Sequence, residues 1–300
     1  MELWILAAIC AAFFQTLRFM LQKHLATATL SASGATYARF VYSLPFVLAA
    51  LALWISGQGA AMPSVGAMFW GYSVMGAMSQ ILATLCVVML FKMRNFAVGI
   101  TFKKTEVLQT ALVAVVLLGE GVSLRVLMAM LVGLAGVLLL TPTPGGQMTG
   151  WRRFANRASG LGLLSGLLFG VSGVSYRGAT LAVLSDDPIL RAAVTLSFVV
   201  LVQVLALTVW LTLREPGQIG AVWGARRVAV WMGITSMVGS ISWMVAFTLQ
   251  HAAYVTAVGQ VELIFSLLAS VLVFREKIAA RELAGIALLT LSIVGIVIAV

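Results

Sequence analysis

The chain has 300 residues, 62% of them hydrophobic and only 9% charged, with a mean hydropathy of +1.08; no single soluble domain buries that much apolar surface, so lipid is the expected solvent. The net charge of +10 does not indicate nucleic acid, because no basic stripe interleaved with aromatics accompanies it and most cations flank apolar runs. Cys10 and Cys86 sit in such runs with neither a CxxC pair nor metal-ligand spacing, and are read as packing residues.

In chain order, apolar runs long enough to cross the hydrocarbon, about 20 residues each, are expected at 2–24, 33–56, 67–92, 96–118, 122–141, 159–184, 189–213, 227–249, 252–274 and 281–299. The first opens on Met1-Glu2-Leu3 without a basic n-region or small-residue cleavage site, so it is expected to be retained as a helix. The longest polar break runs from Thr141-Pro142-Thr143-Pro144-Gly145-Gly146 through Arg157 and separates two sets of five. The expected fold is an all-α membrane protein of ten transmembrane helices: a first five-helix repeat (1–141), a linker (142–158) and a second five-helix repeat (159–300).

The repeat rests on an offset. Glu106 and Glu262 lie 156 residues apart, and the same offset pairs Glu120 with Glu276, Arg125 with Arg281, Phe91 with Phe247 and Asn95 with His251. Five helices is an odd number, so the second half must enter from the opposite face; the repeats are expected to be inverted. Lys23, Arg39, Lys92, Arg94, Arg152, Arg153, Arg157, Arg214, Arg226, Arg227, Arg275, Lys277 and Arg281 flank one face, against Arg125 and Arg191 on the other. That bias predicts a cytoplasmic linker with both termini outside.

Leu117-Leu118-Gly119-Glu120-Gly121-Val122-Ser123, followed by Leu131-Val132-Gly133-Leu134-Ala135-Gly136-Val137, resembles the helix 4 to helix 5 signature of EamA-type transporters of the drug/metabolite transporter (DMT) superfamily. Phe274-Arg275-Glu276-Lys277-Ile278, with Ala284-Gly285 and Val294-Gly295-Ile296, repeats it in the second half. The resemblance covers the whole chain and implies ten helices, inverted repeats and secondary transport, often metabolite efflux. Two features depart from the family: Val107 and Leu263 stand after the glutamates where members carry proline, and members keep both termini in the cytoplasm, opposite to the charge count.

Six charges fall inside spans: Arg18, Lys103, Lys104 and Arg177 against Glu106 and Glu262. Each costs on the order of 2.5–3.5 kcal/mol at mid-membrane, so each is expected to face a cavity or an opposite charge. Lys103 and Glu106, three apart, can pair on one helix face. Lys104, about 100° further round, is then the better substrate ligand. Arg18 and Arg177 are placed at a similar level, so all four cations are expected to cluster toward the basic face. Four cations against two acids favour an anionic or zwitterionic solute, such as an amino acid or organic acid. Gly259 and Gln260 replace the two lysines in the second half. Glu262, with Glu106, is therefore a candidate coupling residue that carries a proton, or else pairs with Arg18 or Arg177 across the halves. Gln109, Tyr176 and Trp243 complete the candidate substrate contacts, with bonds between helices as the plainer reading. Gly162, Gly166 and Gly170, and Ala67 with Gly71, are expected to let helices approach closely.

The expected function is a secondary active transporter working by alternating access on a small-molecule substrate, in contact with membrane lipids and with proton coupling as one option. It is not expected to be an enzyme, because HExxH, GxSxG and clustered His or Asp are absent from the sequence, and no cofactor or metal is implied. Without a Walker A pattern, ATP is not the direct energy source. The expected location is multi-pass in a plasma membrane, of the bacterial inner-membrane kind. A lipid-headgroup flippase or a non-transporting helper on the same scaffold is the alternative.

Overall fold

The computed structural model of the chain describes residues 2–59, 61–93, 102–140, 157–274 and 280–299, with backbone alone at 269–274. Most of the linker, together with Arg94, Asn95, Arg152, Arg153 and residues 275–277, lies outside the described residues. The helices are α1 (Leu3–Ala28), α2 (Ala32–Gln58), α3 (Met68–Phe91), α4 (Glu106–Leu118), α5 (Leu124–Leu140), α6 (Arg157–Leu181), α7 (Pro188–Arg214), α8 (Gln218–Gly224), α9 (Arg226–Leu249), α10 (Ala252–Gly259), α11 (Glu262–Phe274) and α12 (Ala280–Ala299). Seven of them, α1, α2, α3, α6, α7, α9 and α12, are long and apolar enough to cross a membrane. Three shorter apolar segments, Glu106–Leu118, Leu124–Leu140 and Ala252–Leu268, accompany them. Side chains such as Leu112, Val116, Leu213 and Ile298, 70–81% exposed, make the outer surface one that suits lipid and not water.

Capping residues set several boundaries. Ser31 Oγ accepts the Gly34 N–H at 2.9 Å to open α2, and Gly59, in the left-handed region, closes it. Asp187 Oδ1 accepts from Ile189 N at 2.8 Å, with Pro188 in the first turn of α7. Gly119, at φ +68°, ends α4 and turns the chain into Glu120. Pro45 sits inside α2 without ending it. The boundaries keep the offset seen in the sequence: α2 and α7, α4 and α11, and α5 and α12 each begin 156 residues apart.

The contacts between helices are reciprocal. α1 packs on α9 and α3 on α6, α2 on α7, and α5 on α12. In lipid no hydrophobic force drives helices together, so small residues that admit close packing decide which faces meet. A Cβ on Gly136 would come within 2.8 Å of both Gly285 O and Leu289 N, so α5 and α12 touch backbone to backbone. Gly71 faces open space; the close approach expected there does not occur, because α3 meets α6 on its other face, where a Cβ on Gly76 would strike the Tyr176 ring.

One joint outside the spans depends on pH. Glu215, at the end of α7, accepts from Ser31 Oγ at 2.5 Å and Trp210 Nε1 at 3.4 Å, while Gln218 Oε1 accepts from Ser31 N at 3.1 Å. Partial burial pushes the Glu215 carboxyl up, but the donors Ser31, Ser33 and Trp210 outweigh it and hold the group below its ordinary range. A depressed folded value contributes stability that is complete above the unfolded value and is lost as pH falls through the folded one. Thermal unfolding should therefore show wild type losing its advantage over Glu215→Gln as the pH is lowered through the acidic range.

Candidate functional site

Two of the apolar segments are interrupted at matching places. Before α4, Thr105 N donates to Phe102 O at 3.1 Å and Leu108 N to Thr105 O at 3.1 Å; before α11, Val261 N donates to Val258 O at 3.1 Å and Ile264 N to Val261 O at 2.9 Å. Each bond reaches back three residues instead of four, the tightened turn that marks hinges inside helices. No proline is needed, since Val107 and Leu263 follow the glutamates. Each interruption makes a glutamate the first residue of the next helix, where the positive end of the helix dipole favours a carboxylate.

Both glutamates are ion-paired. Lys103 Nζ lies 3.0 Å from Glu106 Oε2, the pairing its spacing predicts. Lys104 Nζ contacts Glu262 Oε1, so this pair joins the first half of the chain to the second. Gln15 Nε2 donates to Glu262 Oε2 at 2.6 Å, and Trp243 Nε1 donates to Gln15 Oε1 at 3.1 Å. The partner of Glu262 is thus Lys104, and neither Arg18 nor Arg177, because α10 and α11 run beside α1 and α4 and turn the carboxylate toward that lysine.

A cavity lies next to these pairs, lined by Gln15, Gln80, Lys103, Glu106, Tyr176 and Trp243, with about 50 Å³ of room for the centres of water-sized molecules. That is space for a few waters. Tyr176 Oη donates to Gln80 Oε1 at 2.7 Å and accepts from Gln203 Nε2 at 3.3 Å. Trp243 stacks on Phe247 with centroids 5.5 Å apart. Gly259 is what admits the Trp243 ring, since a Cβ there would overlap the ring edge. Gly259→Ala should displace the indole, costing about 1–3 kcal/mol by overpacking, and should be visible as a shifted tryptophan emission and a lower Tm.

The remaining expected residues fall elsewhere. Gln109 Nε2 donates to Thr105 Oγ1 at 3.2 Å and its Oε1 is buried without a partner. It lies on the α4–α6 contact, where a Cβ on Gly166 would come within 2.6 Å of it. Arg18 Nη1 donates to Gln22 Oε1 at 3.1 Å and its guanidinium covers the Phe19 ring at 4.1 Å. Arg177 leaves the expected cation cluster. Its Nε is 2.6 Å from Glu120 Oε1 and its Nη1 donates to Phe247 O at 2.8 Å. Arg177 lies near the C-terminal end of α6, where it meets the α4–α5 turn and the last turn of α9. Arg39, counted in the sequence as flanking a loop, is buried at 3% exposure inside α2. Its Nε donates to Ser236 Oγ at 3.0 Å and its Nη1 to Thr84 Oγ1 at 3.2 Å. The signal that could have found it is its place seven residues beyond Ala32, between Tyr37 and Tyr42 on an otherwise apolar helix.

No family profile matches the chain, and no curated protein does. Over 98% of its length it is similar to a solved crystal structure, covering 94% of that chain with a TM-score of 0.71 and 15% identity. The likeness is one of fold.

Proposed function

We propose that the chain is a secondary active transporter of the EamA-type DMT superfamily, carrying a small anionic or zwitterionic metabolite across a plasma membrane by alternating access. In this reading α4, α5 and the interrupted α10–α11 segment join the seven long helices as ten spans, and the two halves are inverted repeats. The observation that carries it is the pair of matching interruptions, each delivering a glutamate to lysines of the first half beside a buried cavity. Interrupted helices meeting at a repeat interface are how solute and ion sites are built at mid-membrane. The reciprocal packing, α1 with α9 and α3 with α6, supports two halves that exchange roles. The Lys104–Glu262 pair is then the tie across the halves that changes partner when they rock, and the proposal assigns the chain no catalytic step.

A second reading has its own observation. An apolar groove between α3, α4 and α6, lined by Met75, Leu112, Val116 and Val171, would suit an acyl chain and favours a flippase on the same scaffold. Sealed proteoliposomes separate the two. Uptake of radiolabelled organic and amino acids, with and without a pH gradient, should exceed that of empty vesicles. Movement of labelled lipid between leaflets with no solute uptake would replace the transporter by the flippase.

A further inference from the structure

Lys103 lines the cavity, while Lys104, Arg18 and Arg39 are buried outside its lining, and the four divide by partner. Lys103 and Lys104 are each matched to a glutamate. Arg18 and Arg39, both 3% exposed, have no carboxylate partner among the described residues; their hydrogen bonds go to Gln22, Ser236 and Thr84, all neutral. Each also covers an aromatic ring, Phe19 at 4.1 Å and Phe40 at 4.7 Å. A desolvated cation left without an anion is costly, so a fold that keeps two of them close together implies a charge that arrives from outside.

Position and hydrogen bonding agree with that. The two guanidinium groups lie within each other's electrostatic reach, and Arg18 also senses Glu262. The anchors of Arg39, Thr84 and Ser236, are one helical turn beyond Gln80 and Ser240, which line the cavity. Arg18 is three residues beyond Gln15, also on its wall. Gln22 is fully buried: its Oε1 accepts from Arg18, while its Nε2 has no acceptor. An amide donor held beside the Arg18 guanidinium, with the Arg39 guanidinium within that group's electrostatic reach and no charged acceptor for any of them, is the inverse image of an oxyanion.

Building on the transporter reading, we infer that Arg18, Arg39 and Gln22 form the seat for an oxyanion group of the solute, at the end of the cavity facing the α1–α2 turn. The ion-paired lysines are not that seat. Two unmatched positive charges select a doubly charged group, a phosphate ester or a dicarboxylate, over a single carboxylate. Guanidinium planarity favours paired oxygen acceptors over a spherical halide.

The test is equilibrium binding to the purified full chain in nanodiscs, by calorimetry and by shift in Tm, using inorganic phosphate, succinate, acetate and chloride as probes. Phosphate or succinate should bind more tightly than acetate, with chloride weakest. Arg39→Lys, which keeps the charge and loses the fork, should weaken phosphate or succinate about tenfold, and Gln22→Met should weaken it by a similar factor. Because each variant is compared with and without probe, a lowered baseline Tm does not obscure the result. No binding of any oxyanion, chloride binding as tightly as phosphate, or equal binding in wild type, Arg39→Lys and Gln22→Met would overturn the seat. Binding as described without solute transport would instead remove the transporter reading and leave the seat standing. Transport that is insensitive to Arg39→Lys and Gln22→Met would do the reverse.

Discussion

Glu262→Gln should cost the protein about 3–5 kcal/mol, the usual penalty for stranding one partner of a buried ion pair, and Lys104→Gln should cost less. The asymmetry follows from what each change leaves behind. Without the carboxylate, Lys104 stays buried at 3% side-chain exposure beside Lys103, with Glu106 already taken by Lys103. Without the lysine, Glu262 still accepts from Gln15 at 2.6 Å, begins α11 at its positive end, and remains in the field of Arg18. The double variant Lys104→Met with Glu262→Leu removes both charges and should recover most of the stability, as buried pairs replaced by apolar groups commonly do. Denaturation in a fixed detergent measures all four proteins; equal losses for the two single variants would refute the asymmetry. The same variants bear on coupling. If Glu262 carries the proton, Glu262→Gln should abolish gradient-driven uptake and leave counterflow exchange intact. Loss of both, at unchanged expression, would mean that the tie is structural.

Removing Arg177 should be the next most damaging change, and its effect should come from the opposite end of the bundle. Arg177 reaches from α6 to Glu120 in the α4–α5 turn and to the Phe247 carbonyl in the last turn of α9. One guanidinium therefore ties three elements. The Phe247 carbonyl belongs to a helix end that lacks an intrahelical donor, and Glu120 Oε2 is already buried without a partner. Arg177→Met strands a carboxylate and a carbonyl together, at about 2–4 kcal/mol after allowing for the slight exposure of the pair. Arg177→Lys should restore under half of that, because an ammonium on a single stem cannot make both bonds at once. Since Arg177 lies away from the Lys104–Glu262 tie, Arg177→Met and Lys104→Gln should add within about 0.5 kcal/mol; strong coupling would show that the two ends of the bundle do not act separately.

Which features could be read in the sequence follows from physics. The matching placement of Glu106 and Glu262 at helix starts and the Lys103–Glu106 contact are legible because they depend on offset and helical spacing alone. The interruptions at Thr105 and Val261 are not. They fall among Lys103, Lys104 and Glu106 in the first half and just after Gly259 and Gln260 in the second, with no proline to mark them, and come from three-residue hydrogen bonds that composition does not show. Arg177 departs from the expected cluster because its partners, Glu120 and the Phe247 carbonyl, come from other elements, which position along a single helix does not reveal. Arg39 was hidden by the same rule that serves elsewhere: a cation near the start of a span reads as an interfacial anchor, and only packing against Thr84 and Ser236 shows it turned inward. The short α8 escaped notice because its seven residues fall below any periodicity that a window could detect. The partner of Glu262 depended on contacts between halves, which no local pattern encodes.

Two-sided access to the cavity tests the central claim most directly. Ser240 lines the cavity wall beside Trp243. With Cys10 and Cys86, the two cysteines of the chain, replaced by serine or alanine, Ser240→Cys supplies a single thiol there. Its labelling by a membrane-impermeant maleimide should be measured from each face of oriented proteoliposomes, with and without bound solute. Alternating access predicts labelling from both faces, with solute raising the rate from one face and lowering it from the other. Labelling from one face only, at a rate indifferent to solute, would contradict it.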